Sequence, residues 1–227
     1  MKKISFALAF LISSITSFSQ SNFYKFSVGG GAGGTVAFAD VANKVVAFAG
    51  YGALDYYMTP FVTLGLEVQK GELAGGSILT DRYHRQFINS YVAGAVSIKL
   101  QLGEFLTQYQ RNNVFLDAIR GGYVGVGFGY INNKISNVRY YGNTVYPGAD
   151  KSTEGIIPFH LGINFYIPDQ WGYNRFVVNL NLQNTIVIGE GLDGYGHSPD
   201  GERNDVFSFA SVGLRYNFGP MGLDRRR

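Results

Sequence analysis

Three histidines are the first candidates for catalysis, because imidazole changes charge near neutral pH and serves as a general base or metal ligand. His84 and His197 fall in polar segments, and His197 stands directly before Ser198. His160 lies in an alternating apolar segment with no serine close to it in sequence. A catalytic base must lie beside its nucleophile. We therefore predict no catalytic residue, with His84 and His197 in loops and His160 as an inward-facing, hydrogen-bonding residue.

A group of carboxylates near the C-terminus could bind a hard cation such as Ca²⁺, which takes oxygen ligands. The group consists of Glu190, Asp193, Asp200, Glu202 and Asp205. Their spacing does not match the loop of an EF-hand. We predict an ordinary solvated loop and no metal site, and a Ca²⁺ site stays as the alternative.

Three glycines, Gly29, Gly31 and Gly34, fit the pattern G-x-G-x-x-G of a dinucleotide-binding turn. Such a turn opens a helix, whereas here a further strand-like run, Thr35 to Phe38, follows. We interpret these glycines as sites of close strand packing and predict no cofactor.

Composition excludes several classes of site. The 227 residues include no cysteine, which rules out disulfides, Cys-ligated zinc, a thiol nucleophile and a lipidated cysteine. The net charge of +3 is partly local, because Lys2 and Lys3 begin the chain and 225–227 are all arginine. Without these termini the balance is slightly negative, so we predict no nucleic-acid partner.

The N-terminus has the form of a signal peptide. Two lysines precede a short apolar run, Ile4 to Ile12, and small residues follow at Ser17 and Ser19. The run is shorter than the roughly 20 residues of a membrane-spanning helix. We predict a signal peptide over 1–19 that is removed after Ser19, with an uncleaved anchor as the alternative.

The remainder alternates between apolar and polar residues in segments separated by Gly, Pro, Asn and Asp, which is typical of strands. Eight such segments are predicted, at 23–38, 45–58, 61–73, 87–102, 122–132, 156–167, 175–188 and 206–218. One set of connections is mostly short, and the other contains three long loops. This asymmetry and the even number favour an all-β, eight-stranded antiparallel up-and-down transmembrane barrel. We assign the barrel to 20–218 and a short basic tail to 219–227.

The polar faces of the strands indicate which side of the predicted barrel wall points outward. In segment 156–167, Phe159 and Leu161 share one face, and His160 and Asn164 share the other. Across the strands the polar faces carry mainly Gly, Ser, Asn, Gln and Tyr, which is a poor coat for a soluble protein. A narrow interior accepts these side chains. We therefore predict apolar side chains outside and polar side chains inside.

A few charged residues share the polar faces. We predict that they form one internal network of Lys25, Asp55, Glu67, Lys99 and Arg215, because a lone buried charge is costly. The alternative places some of them unpaired at a water-filled rim. Aromatic residues are also predicted to form a girdle at the short-turn rim; they are Tyr24, Tyr56, Phe61, Phe165, Trp171, Phe176, Tyr216 and Phe218.

The last strand carries a recognisable pattern. Val212, Leu214, Tyr216 and Phe218 alternate with small or polar residues. This pattern resembles the C-terminal signature strand of bacterial outer-membrane proteins, which in those families is read by the barrel-assembly machinery. Here the segment GPMGLDRRR follows Phe218, so the aromatic residue is not terminal.

The chain from about 23 to 218 resembles small outer-membrane barrels of the OmpA/OmpX type. The stretches DYYMTPFVTLGLEVQKGELAGG and YVGVGFGYINNKISNVR resemble barrel proteins of the Bacteroidota. The resemblance implies the cell outer membrane of a Gram-negative bacterium. The implied partners are outer-membrane lipids and lipopolysaccharide, the assembly machinery during insertion and, as an option, a protein complex in that membrane.

The function that follows is a non-catalytic structural or surface-interaction role with long extracellular loops. One alternative is an enzyme that modifies outer-membrane lipid, and another is a barrel subunit of a larger secretion or assembly complex. Eight strands leave an interior that side chains just fill, so a diffusion porin is not expected.

Overall fold

The computed structural model describes residues 23–38, 43–80, 84–104, 120–137, 140–141, 144–145, 149–171, 173–189, 191–195 and 205–222. The predicted signal peptide lies outside these residues, as does 223–227 of the predicted tail. No helix in this part of the chain is long and apolar enough to cross a membrane.

Within the described residues, ten strands and one short 3-10 helix follow one another. They are β1 (Phe23–Phe38), β2 (Lys44–Tyr57), β3 (Val62–Gly76), β4 (Gln86–Gln101), the 3-10 helix Leu102–Glu104, β5 (Gly122–Asn137), β6 (Tyr140–Tyr141), β7 (Thr144–Val145), β8 (Lys151–Pro168), β9 (Asn174–Ile188) and β10 (Val206–Gly222). Strands β6 and β7 pair only with each other.

The other eight strands form a closed barrel in the order β1-β2-β3-β4-β5-β8-β9-β10, and β10 pairs again with β1. All neighbours are antiparallel. The predicted eight-stranded barrel is therefore confirmed. One end, the short-turn rim, holds the connections between β2 and β3 and between β8 and β9; the opposite end is the long-loop rim.

Several strands run further than the sequence pattern predicts. β5 continues to Asn137 instead of 132, and β8 begins at Lys151 instead of 156. β10 continues to Gly222, so part of the predicted tail belongs to the last strand. Backbone pairing does not require apolar side chains, and polar residues such as Asn133 and Ser152 pair across the two strands. Periodicity therefore underestimates strand length where both faces are polar.

Closure between β1 and β10 depends on small residues. A Cβ atom added at Gly31 would collide with the Val212 carbonyl oxygen and would lie 2.8 Å from the Tyr51 ring. One added at Gly33 would collide with the backbone of Ala210 and Ser211. Gly34 faces the other way and has more room, with its nearest atom, on Val46, 3.4 Å from an added Cβ.

The two faces of each strand differ as the alternation predicts. On β10, Val212 and Leu214 are 57% and 53% exposed, whereas Ser211 and Arg215 are buried. Phe159 on β8 and Leu180 on β9 are likewise exposed, and His160 and Asn179 beside them are buried. The prediction that apolar residues face outward is confirmed.

The interior is less uniform than predicted. Apolar side chains fill the half nearer the long-loop rim, where Leu73, Phe87, Ile131 and Phe207 are almost completely buried. Polar side chains dominate the half nearer the short-turn rim. In both halves alternate residues point outward and inward. The inward residues differ in polarity from the outward ones only in the half nearer the short-turn rim.

Two residues of the predicted aromatic girdle are buried instead. Tyr24 is covered by Tyr173 and by the Arg175 guanidinium, 4.5 Å above its ring. Phe61 packs beneath the guanidinium of Arg120. The β1–β10 register shifts between Tyr24 and Phe26, so alternation counted along β1 does not reach Tyr24. The other members are exposed or half-buried; they are Tyr56, Phe165, Trp171, Phe176, Tyr216 and Phe218.

The turns at the short-turn rim are closed by side-chain acceptors. Thr59 Oγ1 accepts hydrogen bonds from the amides of Phe61 and Val62 between β2 and β3. Between β8 and β9, Asp169 Oδ1 accepts from the amides of Trp171 and Tyr173. Burial raises the pKa of Asp169, but these amides and the Arg175 guanidinium outweigh it, so the pKa of this carboxyl lies below its ordinary value.

Because exposed apolar side chains surround the barrel as a band, we expect the stability cost of an outward charge to depend strongly on its depth in the membrane. Leu180→Arg, near the middle of β9, should destabilise the barrel by about 2–4 kcal/mol in phospholipid vesicles, because the charge enters the hydrocarbon. Ile188→Arg, on the same face at the end of β9, should cost only about 0–1 kcal/mol. Denaturant unfolding of both variants measures this, and equal costs would contradict an outward band.

The Asp169 turn should loosen in acid. A carboxyl whose pKa is depressed stabilises the folded turn above its unfolded pKa of about 3.9, and this stabilisation is lost as the pH falls through the folded pKa. Amide exchange at Trp171 and Tyr173, corrected for intrinsic rates, should therefore lose protection only below about pH 4. The Phe61 and Val62 amides, held by Thr59, are the control, and an equal loss there would refute a local titration.

Candidate functional site

Four charged side chains meet inside the polar half of the barrel. They come from four strands: Asp55 from β2, Glu67 from β3, Lys99 from β4 and Arg215 from β10. Each stands at an inward position of its strand. The register places Ala53 opposite Glu67 and Thr63 opposite Lys99, which brings the four side chains to similar heights.

The geometry of this charge cluster is that of a buried network. Arg215 Nη1 lies 2.8 Å from Asp55 Oδ2, although the N–H is not aligned for a hydrogen bond. Lys99 Nζ lies 3.8 Å from Glu67 Oε2 and 4.0 Å from Asp55 Oδ1. The four side chains are at most 7% exposed. Two cations and two carboxylates make the cluster neutral, as burial requires.

Gly65 makes room for this cluster, and sequence reasoning did not single it out. A Cβ atom there would lie 2.6 Å from Asp55 Oδ1 and 3.7 Å from Lys99 Nζ. The available signal was a glycine at an inward position inside a strand, which marks a close approach of other atoms.

Lys25 is not brought into the charge cluster. It is half-buried, and no ion pair joins it to the other four charged residues in the described structure. The register shift that displaces Tyr24 also lies at Lys25, and Ser27 rather than Lys25 pairs with Asp55. The expectation of five members therefore reduces to four.

A layer of amides and tyrosines continues the network across the lumen. Asn179 Nδ2 donates to Tyr123 Oη at 3.0 Å and to Asn164 Oδ1 at 2.8 Å. Tyr51 Oη donates to Asn179 Oδ1 at 3.4 Å. Tyr123 Oη in turn donates to Asn181 Oδ1 at 2.8 Å. In these contacts the lumenal amides and tyrosine hydroxyls serve as one another's hydrogen-bond partners.

A second set of hydrogen bonds ties Glu67 to the middle of the barrel. Gln69 Nε2 donates to Glu67 Oε1 at 2.8 Å and to Gln183 Oε1 at 2.6 Å. Tyr91 Oη donates to Gln69 Oε1 at 3.4 Å. The tyrosines thus add bulk inside the lumen and close it with hydrogen bonds.

The segment 191–195 folds into the long-loop end of the barrel, where Leu192 is completely buried. Its carbonyl accepts a hydrogen bond from Asn89 Nδ2 at 2.9 Å, and its amide donates to Asp205 Oδ2 at 3.2 Å. Asp193 Oδ1 accepts from the Tyr195 amide at 3.0 Å. We call this segment the plug.

The plug changes the interpretation of the carboxylates near the C-terminus. Asp193 and Asp205 are buried acceptors of backbone hydrogen bonds rather than residues of a solvated loop. Glu190, Asp200 and Glu202 lie outside the described residues. Among the residues that the structure describes, no group of three or more His, Cys, Asp or Glu side chains could hold a metal ion.

The histidines do not form a catalytic pair in the described structure. His160 points into the lumen and is 4% exposed, and no hydrogen bond to a serine is present there. His84 lies in the loop between β3 and β4, where its Nδ1 contacts the carbonyl oxygen of Ile78 at 2.5 Å. His197 and Ser198 lie outside the described residues.

The charge cluster predicts a large penalty for removing one member. Glu67→Leu should lower the free energy of unfolding by about 3–5 kcal/mol, because Lys99 would keep an uncompensated buried charge. Glu72→Leu, on the same strand but exposed, is the matched control and should cost less than about 1 kcal/mol. Denaturant unfolding in detergent measures both, and a Glu67→Leu loss below about 0.5 kcal/mol would show a solvated site.

Comparison with known proteins finds similarity in structure only. No protein-family model matches the chain, and no curated protein sequence matches it. Among solved structures it is similar to Ail, the attachment invasion locus protein of Yersinia pestis, with a TM-score of 0.50 and 9% identity over 86% of this chain and 99% of that chain.

Two further structures have lower TM-scores. Neisserial surface protein A (NspA) gives 0.48 with 11% identity, covering 86% of this chain and 97% of its own. The translocator domain of the autotransporter NalP from Neisseria meningitidis gives 0.37 with 10% identity, covering 96% of each chain. The likeness to Ail concerns the fold: the chain is an all-β, closed eight-stranded antiparallel barrel similar to outer-membrane barrels.

Proposed function

We propose that this chain is an integral protein of the outer membrane of a Gram-negative bacterium with a non-catalytic structural or surface-interaction role. One observation carries the proposal: the apolar side chains form the outside of a closed barrel whose interior is filled. The resemblance of two sequence stretches to Bacteroidota barrel proteins supports a source in that group.

The exterior supports a membrane location. Exposed Leu, Val, Ile and Phe side chains surround the barrel, among them Leu66, Val96, Phe128, Leu161 and Val212. An apolar surface that encircles a protein is far larger than the patches of a soluble monomer. A closed barrel also pairs the backbone groups of its strands internally, which hydrocarbon demands.

The interior supports a non-catalytic role. The charge cluster neutralises itself, and the amides and tyrosines are hydrogen-bonded to one another. The plug fills the long-loop end with Leu192. A substrate would have to displace these contacts before reaching His160, and an ion would meet the same obstruction.

We therefore expect the functional surface to lie beyond the long-loop rim. This rim is outside the cell in barrels of this kind. The loop between β3 and β4 presents apolar side chains there, with Leu79 90% exposed next to Ile78. A leucine exposed to this extent packs little against the barrel and is available for contact with another molecule.

The test expresses the full chain in a Gram-negative host. The barrel should fractionate with the outer membrane and show heat-modifiable mobility on gels. The purified protein should give no conductance steps in planar bilayers and leave the mass of host lipid A unchanged. A His160→Ala variant should behave like the parent in both assays.

Other outcomes separate the alternatives. A change in lipid A mass that His160→Ala abolishes would establish an enzyme. A stoichiometric protein recovered with the barrel from mild detergent would establish a subunit of a complex. Recovery of the exported chain as a soluble, detergent-free protein would reject the membrane location itself.

A further inference from the structure

The plug is held by one buried apolar side chain and by hydrogen bonds to its backbone, and the barrel sheet does not extend into it. The ladder between β8 and β9 ends at the pair Gly155–Ile188, before the plug begins. Beyond that pair, Ser152 Oγ on β8 donates to the Gly191 carbonyl oxygen at 2.8 Å. Leu192 is the side chain that packs among the apolar residues of the interior. The plug can therefore move out of the barrel without breaking a ladder that closes the sheet.

Two glycines with positive φ lie at the bends of this part of the chain. The angle is +147° at Gly189, directly after β9, and +75° at Gly194 inside the plug. The Gly194 carbonyl oxygen accepts a hydrogen bond from the Ala149 amide at 3.1 Å. Glycine adopts such angles without strain and keeps a wide choice of backbone conformations. Because hinges are positions that absorb large changes of φ and ψ, we identify Gly189 and Gly194 as the hinge positions of the plug.

Glu154 lies against the base of the plug. It stands at an inward position of β8, opposite Ile131 on β5. A Cβ atom added at Gly189 would collide with Glu154 Oε2, and one added at Gly191 would collide with Glu154 Oε1. The carboxyl group is therefore packed directly onto the backbone that leads from β9 into the plug.

The closed plug covers this carboxyl group without compensating its charge. No ion pair of Glu154 is present in the part of the chain that the structure describes. The residue lies above the apolar band, since the outward residues beside it, Thr153 and Lys151, are polar and exposed. Burial raises the pKa of Glu154 above its ordinary value. The protonated carboxyl group thus suits the closed plug, whereas the ionised one is better solvated when the plug has left.

Other groups that titrate or carry charge surround Glu154. They are Asp150 and Lys151 next to it in the chain, Lys134 on β5, Arg85 and Tyr91 at β4, Asp193 and Tyr195 in the plug, and Asp205 before β10. The two lysines are exposed on the outer face, and the only charged residue of β9, Arg175, lies at its short-turn end. Asp193 and Asp205 accept hydrogen bonds from plug amides, so their ionised forms favour the closed plug. Their influence therefore has the opposite sign to that of Glu154.

We propose that the plug is a proton-controlled lid, which seals the apolar half of the interior when Glu154 is protonated and opens more readily when Glu154 is ionised. An open lid presents the socket of Leu192, lined by apolar side chains such as Leu73 and Phe207, to the long-loop side. The charge cluster still fills the other half, so the lid opens a chamber and not a channel. The proposal does not depend on the role proposed above for the outer surface.

The direction of the pH dependence follows from the raised pKa. The stabilisation of the closed lid by protonated Glu154 is fully present below the pKa of an exposed glutamate, about 4.3. It is lost as the pH rises through the higher pKa of the closed state. The lid should therefore open more often at neutral than at mildly acidic pH.

The test uses single cysteines as reporters, because the chain contains none of its own. Leu73→Cys reports opening of the lid, since Leu73 is completely buried in the apolar half. Ser97→Cys, buried in the polar half, reports unfolding of the whole barrel. Labelling by a maleimide in detergent is measured at about pH 4.5 and about pH 8. Each rate is divided by that of Leu79→Cys, which is 90% exposed, to remove the reactivity of the thiol itself.

We expect the normalised labelling of Leu73→Cys to rise at least about twofold from the lower to the higher pH. Adding Glu154→Gln should remove this rise and keep labelling slow at both pH values, because the side chain is then always neutral. Glu72→Gln is the matched control, since Glu72 is exposed on the outer face of β3, and it should behave like the parent. Heat-modifiable mobility verifies that each variant is folded.

A further variant shows that the assay detects the lid. Leu192→Ala removes the buried anchor and should speed labelling of Leu73→Cys at least about tenfold at both pH values. Labelling of Leu73→Cys that does not change with pH, or that never occurs, would overturn the proposal. So would a rise that persists in Glu154→Gln, which would assign the titration to another group, or equal labelling of Ser97→Cys, which would show unfolding of the whole barrel.

Discussion

Closure of the sheet between β1 and β10 is the constraint on which the rest of the structure depends. Once the first and last strands pair, each strand has one face towards a narrow interior and one towards the surroundings. The inner face of β1 must then be small, which glycines such as Gly31 and Gly33 provide. The outer face is free to carry large apolar side chains, and it does so on every barrel strand. Membrane compatibility and a filled interior are thus two consequences of one closure.

The interior has two halves, which differ in the kind of side chain that they bury. Near the short-turn rim, charges are neutralised within one cluster of Asp55, Glu67, Lys99 and Arg215, and amides extend it. Near the long-loop rim, apolar side chains and the plug exclude water by packing. The buried side chains of these two regions come from all eight barrel strands, so they link the strands to one another.

The outside is itself asymmetric around the barrel axis. One side carries the opposed lysines Lys134 and Lys151 above the apolar band, and the other carries a hydrogen-bonded Asn184 and Ser208. Two like charges directly opposite each other are unfavourable in a sheet.

The sequence by itself determined the number of barrel strands and which face of each strand points outward, because the alternation of side chains along a strand can be read without knowing any contact. It identified Asp55, Glu67, Lys99 and Arg215 as inward charges for the same reason. Alternation failed at Tyr24 and Lys25, where a register shift between two distant strands changes which way a residue points. Only the tertiary structure decided that Arg215 meets Asp55, that Gly65 makes room for them, and that the segment 191–195 folds inward. These contacts join residues far apart in sequence, and their partners are set by register and closure, which no local pattern encodes.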